Sequence, residues 1–331
     1  MADTQREPTA HERTLLDPMT LAKLATLPLR ARRVVEGVLT GLHRSPWQGQ
    51  SVEFAEHKEY APGDDVRRVD WRAFARVDKY YIKNYELETN LRAWVVVDAS
   101  ASMTYGRRGV TKLDYARVLA ASLAHLLIRQ QDACGLVVAG APASGPAAAE
   151  DLVSLESGND GPRAGVRAMM PPRASQAHLA ALCDQLEATA PGGATSLADT
   201  LETVAEAAGR RALVFVVSDL FDPSPRGWQA VAKLRRHGSE VVFFHLLDRD
   251  ELDFPFDEPT EFLSLETDER IEVHPGSVKR DYLAQLQAFC DETRRALVGQ
   301  GAEYHLAPTD APLDKVLVDF LAARRRTGRR L

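Results

Sequence analysis

Short apolar runs alternate with helix-like stretches through most of this chain, and that alternation leaves few folds open. The runs Trp94–Asp98, Cys134–Ala139, Ala212–Ser218 and Glu240–Leu247 read as buried strands. Between and after them, Lys112–Gln130, Gln176–Ala188, Leu197–Gly209 and Gly227–His237 carry apolar residues at helical spacing. A strand, a helix and a strand in succession build βαβ units, so the expected class is α/β with a mostly parallel central sheet. Further on, Glu261–Leu265 and Arg270–Val273 read as a hairpin, Val278–Val298 and Asp314–Arg326 as helices, and the region near Glu303–Leu306 as a strand.

The flanks are less regular. Residues 1–18 are polar and expected to be loosely attached, whereas Leu21–Val38 has near-helical apolar spacing interrupted by Pro28, which either kinks one helix or opens the second of two. Tyr80–Tyr85 followed by the Trp94 run suggests two strands joined by a turn, which would put an antiparallel edge strand beside the Asp98 strand. Gly140–Glu150, rich in Ala, Gly and Pro, reads as a surface connection.

Composition narrows the function classes. The chain has 331 residues, 45% of them hydrophobic, enough for one large core with an extension. Its net charge of −6 argues against an electrostatic nucleic-acid binder. The end is an exception, where Arg324, Arg325, Arg326, Arg329 and Arg330 form a basic run that reads as a solvated helix end. Cys134, Cys183 and Cys290 are scattered and form no C-x-x-C pair, which suggests buried thiols in a reducing compartment. No apolar run approaches the roughly 20 residues of a membrane span, and the first residues lack a signal peptide's apolar region, so the expected location is cytoplasmic with no membrane span.

The candidate site lies where the Trp94 run ends. Asp98, Ser100 and Ser102 alternate, and in extended backbone side chains at i, i+2 and i+4 leave on one side. One carboxylate and two hydroxyls converging there make a hard-oxygen cup suited to Mg²⁺ or Mn²⁺ rather than Zn²⁺. Open α/β sheets bind ligands at the carboxyl ends of their strands. Two further oxygen donors stand in matching settings: Thr195 in the glycine-rich loop Gly192–Leu197, and Asp219 at the end of the Ala212 run.

This five-residue pattern resembles the metal-ion-dependent adhesion site of von Willebrand factor type A domains, with Asp98, Ser100, Ser102, Thr195 and Asp219 at its positions. The resemblance implies a Rossmann-like sheet with helices on both faces. It also implies serines that touch the metal, Thr195 and the two aspartates bound directly or through water, and an open coordination position filled by an Asp or Glu of a protein partner.

A second dense segment, Ser51–Tyr85, interleaves Glu53, Glu56, Asp64, Asp65 and Asp70 with Lys58, Arg67 and Arg76, and with Phe54, Tyr60 and Trp71. Read from the residues alone, it wraps a larger domain, aromatics inward and charges paired. Its pattern E-F-x-E-x-K-x-Y-x-x-G-D-D-x-R-x-x-D-W, followed by Ala75-Arg76, is similar to the signature of a bacterial family termed domain of unknown function fifty-eight; Lys58 stands where Arg is common. Larger members often begin with two membrane helices, a feature this sequence does not show. The resemblance implies work alongside MoxR-type AAA+ ATPases in chaperone-like assembly or maturation, with this chain as a divalent-cation-dependent adaptor that docks a partner's carboxylate.

The expected organisation is therefore a loose segment at 1–18, a signature-bearing segment at 19–90, a von Willebrand factor A-like domain at 91–325 and a basic tail at 326–331. The rival from another class is a metal-dependent hydrolase of phosphoesters using Asp98 and Asp219. Such chemistry calls for a second metal or a positioned base, and the motif neighbourhood supplies no His and no base for Ser100. No G-x-x-x-x-G-K-[ST] occurs, which removes P-loop nucleotide hydrolysis. A third reading makes the domain a scaffold with a non-functional metal site.

Overall fold

The computed structural model describes residues 17–22, 26–43, 58–59, 81–82, 91–106, 109–140, 165–192, 196–221, 225–265 and 269–328. Thr195, the segment 1–16, the Gly140–Glu150 connection apart from Gly140, and nearly all of the Ser51–Tyr85 signature lie outside the described residues. The chain divides into two units, Met1–Leu42 with Leu91–Leu331, and His43–Asn90. Of the smaller unit the described part is an antiparallel pair, β1 (Lys58–Glu59) and β2 (Tyr81–Ile82). The partner of Tyr81–Ile82 is thus Lys58–Glu59, and the Asp98 strand has parallel neighbours on both sides. That corrects the expected antiparallel strand beside it.

Among the described residues the central sheet of the larger unit has six strands: β3 (Arg92–Asp98), β4 (Ala133–Ala139), β5 (Val166–Arg173), β6 (Ala212–Ser218), β7 (Glu240–Leu247) and β10 (Glu303–Pro308), arranged in the order β10-β7-β6-β3-β4-β5. Only β5 runs antiparallel, pairing with β4 at the edge. A short hairpin, β8 (Thr260–Leu263) with β9 (Arg270–Val273), forms its own two-stranded sheet, and the long helix α8 (Pro275–Gly299) follows it. The protein is an α/β fold with a mostly parallel central sheet and helices on both faces.

Side-chain alternation along the strands divides the core in two. Ala93, Val95 and Val97 of β3 join Leu213, Phe215 and Val217 of β6 on one face. Helices α2 (Leu27–His43), α3 (Lys112–Arg129), α4 (Gln176–Ala188) and α9 (Leu313–Arg326) cover that face through residues such as Val34, Leu119, Leu182 and Phe320. Trp94 and Val96 point the other way, where α5 (Leu197–Ala207) and α6 (Pro225–Arg236) supply Leu201, Val204, Val231 and Leu234. Coverage on both faces explains why these strands read as unbroken apolar runs rather than as an in-out pattern. Each fully buried Val, Leu or Phe contributes about 1.5–3 kcal/mol to this two-sided core.

The ambiguity at Pro28 resolves into two helices, α1 (Pro18–Leu21) and α2, with Pro28 the second residue of α2. There its missing N–H leaves no hydrogen bond unmade. The strand β5 has no counterpart in the sequence reading because Pro171 and Pro172 sit inside it; an edge strand tolerates prolines that a central one would not. The basic end also needs correction. Arg324 is 2% exposed. Its guanidinium lies 2.6 Å from Glu240 and 2.7 Å from Glu303, tying the last turn of α9 to β7 and β10. Arg325 and Arg326 are solvated, while Arg329 and Arg330 lie outside the described residues.

Candidate functional site

Strand order locates the crevice before any side chain is considered. From β3 the chain passes to β4 on one side, and from β6 it passes to β7 on the other, so the connections diverge between β3 and β6. Such a switch point opens a gap at the carboxyl ends of the two strands. Asp98 ends β3, Ser218 ends β6, and Asp219 follows it.

Asp98 is 5% exposed and both of its oxygens are occupied. Oδ1 accepts from the Ser100 amide at 2.9 Å, and Oδ2 accepts from the Ser218 hydroxyl at 2.6 Å. Burial raises the Asp98 pKa and the charge of Asp219 raises it further, against those hydrogen bonds, so the two carboxylates are electrostatic neighbours. Ser218 was not singled out in the sequence, yet it buttresses both halves of the crevice. Its oxygen also accepts from the Leu220 amide at 3.0 Å, supporting a turn in which Leu220 adopts a left-handed φ of 57°. A non-glycine residue there stores roughly 1–3 kcal/mol of backbone strain.

The two serines reach the crevice by different routes. Ser100 is still extended, at φ −59° and ψ 165°, but Ser102 lies in a 3₁₀ turn spanning Ala101–Thr104. The extended-backbone argument therefore ends at Ser100, and the turn carries Ser102 round to it. Their hydroxyl oxygens come within 2.9 Å of each other. Thr195 is beyond the described residues, but both flanks of its loop are anchored. The Gly192 amide donates to the Ala99 carbonyl at 2.9 Å, and the Ser196 hydroxyl caps α5 by accepting from the Asp199 amide. With φ at 147°, Gly192 occupies backbone space that favours glycine.

Asp219 is 2% exposed and faces a cation that the sequence reading overlooked. Lys112, the first residue of α3, sends its ammonium to Asp219 Oδ2 at 2.8 Å and to Glu251 Oε1 at 2.9 Å. Burial alone would lower the Lys112 pKa, but the two carboxylates outweigh it and the net shift is upward, so the ammonium stays charged. Glu251 comes from α7 (Arg249–Asp253) and also caps that helix by accepting from the Asp248 amide at 2.6 Å. The Phe221 ring centroid stands 5.0 Å from the ammonium. Beside this group an open cleft of about 270 Å³ is lined by Ser102, Tyr105, Phe221 and Leu263 among others.

His245 belongs to the core. It is fully buried, its Nδ1 lies 2.7 Å from the Tyr304 hydroxyl, and burial pushes its pKa down to about 4, keeping the ring neutral.

The donor set is compatible with a hard divalent cation. Among the described residues no group of three or more His, Cys, Asp and Glu side chains is arranged to hold a metal, so any cation here must draw on hydroxyls. Bonds of about 2.0–2.1 Å to Mg²⁺ separate adjacent octahedral ligands by about 2.9 Å. The two serine oxygens stand at that spacing.

Fold and crevice together define a class: a doubly wound α/β domain whose switch point carries one carboxylate and two hydroxyls, backed by a buried ion pair. Within that class, the chain belongs to the family described as protein of unknown function DUF58, whose model matches residues 56–151 and 161–289. It is 27% identical over 315 residues to the uncharacterized protein Rv1480 of Mycobacterium tuberculosis, covering 94% of this chain and 91% of that one. The uncharacterized protein Mb1516 of Mycobacterium bovis matches equally, at 27% over 315 residues. Among solved structures, BatB from Bacteroides thetaiotaomicron is 11% identical with a TM-score of 0.41, covering 71% of this chain and 99% of that one. A von Willebrand factor type A protein from Catenulispora acidiphila is 12% identical with a TM-score of 0.32, covering 48% of this chain and 33% of that one. Among the described residues no helix is long and apolar enough to cross a membrane.

Proposed function

We propose that the protein is a divalent-cation-dependent binding module that docks an acidic side chain of a protein partner. The observation that carries this reading is the meeting of Ser100 and Ser102, hydroxyls 2.9 Å apart, beside Asp98 at the switch point of the sheet. Asp98 orients Ser100 through its backbone amide, and Ser218 holds Asp98 in place. Ser100 and Ser102 would hold Mg²⁺ or Mn²⁺ directly, with Asp98, Asp219 and Thr195 in support. A cation held by mostly neutral ligands retains enough positive charge to attract a carboxylate, while the protein surface around it supplies specificity.

On the family resemblance, the partner class is a MoxR-type AAA+ ATPase or its client, and the role is an adaptor in assembly or maturation. The test is capture by the tagged full-length chain in Mg²⁺, in EDTA, and with Asp98→Ala. Partner recovery is expected in Mg²⁺ alone, with circular dichroism unchanged by the substitution. Equal recovery in all three conditions refutes the reading.

A further inference from the structure

We propose that Lys112 is a tethered counter-cation of the crevice: its ammonium engages Asp219 and keeps the intrinsic affinity for a divalent ion low, so that ion and partner carboxylate bind together. This rests on the cation-dependent docking proposed above and assigns the residue that would regulate it.

Lys112 is 1% exposed, so its stem is enclosed and its ammonium has little freedom to swing away. It donates to Asp219 at 2.8 Å and to Glu251 at 2.9 Å, and packs against the Phe221 ring. With Oδ2 of Asp219 taken by Lys112, Oδ1 lies 3.5 Å from the Phe221 amide of its own turn. Both Asp98 oxygens already accept hydrogen bonds. The two serine hydroxyls bond to each other at 2.9 Å, and Ser100 also faces the Asp98 carboxylate, so none of these donors lies closer to an ammonium than Asp219 does.

A fixed positive charge beside a divalent ion opposes it strongly where the surroundings are poor in water. Lys112 cancels one of the three formal negative charges of Asp98, Asp219 and Glu251, so the crevice draws a divalent ion less strongly than the carboxylates alone would. Without Lys112, Asp219 would be free to turn towards the ion and that opposition would vanish. A partner's carboxylate supplies the missing attraction from outside, which couples the two binding events.

The experiment is titration of the full-length chain with Mn²⁺, read by electron paramagnetic resonance of free Mn²⁺ and by the thermal shift that Mn²⁺ produces. Lys112→Met is expected to bind at least about tenfold more tightly than the natural chain. The double variant Lys112→Met with Glu251→Gln preserves the formal charge of the cluster and should also bind more tightly. Glu251→Gln alone leaves the ammonium wholly to Asp219 and should weaken binding. Should Lys112→Met fail to fold, the double variant and Glu251→Gln decide the matter. If the natural chain binds Mn²⁺, Asp98→Ala abolishes it, and both Lys112 variants bind no more tightly, Lys112 is a structural ion pair and the inference is overturned. If Asp98→Ala binds as the natural chain does, or neither the natural chain nor the Lys112 variants bind, the underlying cation reading fails as well. Binding by the Lys112 variants alone supports the inference in its strongest form.

Discussion

Replacing Ser218 with alanine should cost far more than a lost hydroxyl usually does. Ser218 is 1% exposed, donates to Asp98 Oδ2 at 2.6 Å and accepts from the Leu220 amide at 3.0 Å. A hydrogen bond to a charged group is worth about 1.5–3 kcal/mol, and an orphaned buried amide costs about 1–3 kcal/mol. The Leu220 backbone is already held left-handed, so it has little room to find another partner. The expected loss for Ser218→Ala is about 4 kcal/mol, taking intermediate values of both terms. Urea unfolding followed by circular dichroism measures it, with an unchanged slope showing that the unfolded reference is the same. A double-mutant cycle with Asp98→Ala isolates the bond itself, with an expected coupling of about 1.5–3 kcal/mol. A loss below about 1 kcal/mol, or a coupling within error of zero, would mean that Ser218 does not brace Asp98, and the account of the crevice would fall.

Two further outcomes follow from burial and charge. Arg324→Met should destabilise the chain by about 2–3 kcal/mol in urea, below the full range for a buried pair because Glu240 is 37% exposed, whereas Arg325→Met should change stability by less than about 0.5 kcal/mol. Burial pushes the thiols of Cys134 and Cys183 up to about 12, so both should resist a thiol reagent at pH 8 until the chain unfolds. These thiols lose protons more readily in the unfolded chain. Their contribution is therefore constant below the ordinary thiol pKa of 9.0 and declines as pH rises above it, which melts across that range would register.

Much of the fold was legible because burial writes itself into composition. The strands β4, β6 and β7 and the helix α4 stand within one residue of their expected bounds, since strands covered on both faces must be apolar throughout. Sequence reading failed at β5, where Pro171 and Pro172 mask an edge strand, and at the five-residue helix α7, too short to show a period. In the crevice, Asp98 and Ser100 were legible from alternation and Asp219 from its place after an apolar run, whereas Ser102 arrives through a turn that alternation does not describe. Ser218 and Lys112 were not legible, because a serine closing an apolar run and a lysine opening a helix look like ordinary surface residues.

Local sequence by itself determined the parallel α/β class and the carboxylate that ends β3, because each depends on neighbours a few residues apart. Tertiary structure alone decided which charges became internal. Lys112, Asp219 and Glu251 are far apart in the chain, yet they share one buried ion-pair cluster because β6 lies beside β3 and α7 follows β7. A buried ammonium becomes tolerable only once those carboxylates arrive. No local pattern in the sequence encodes their arrival.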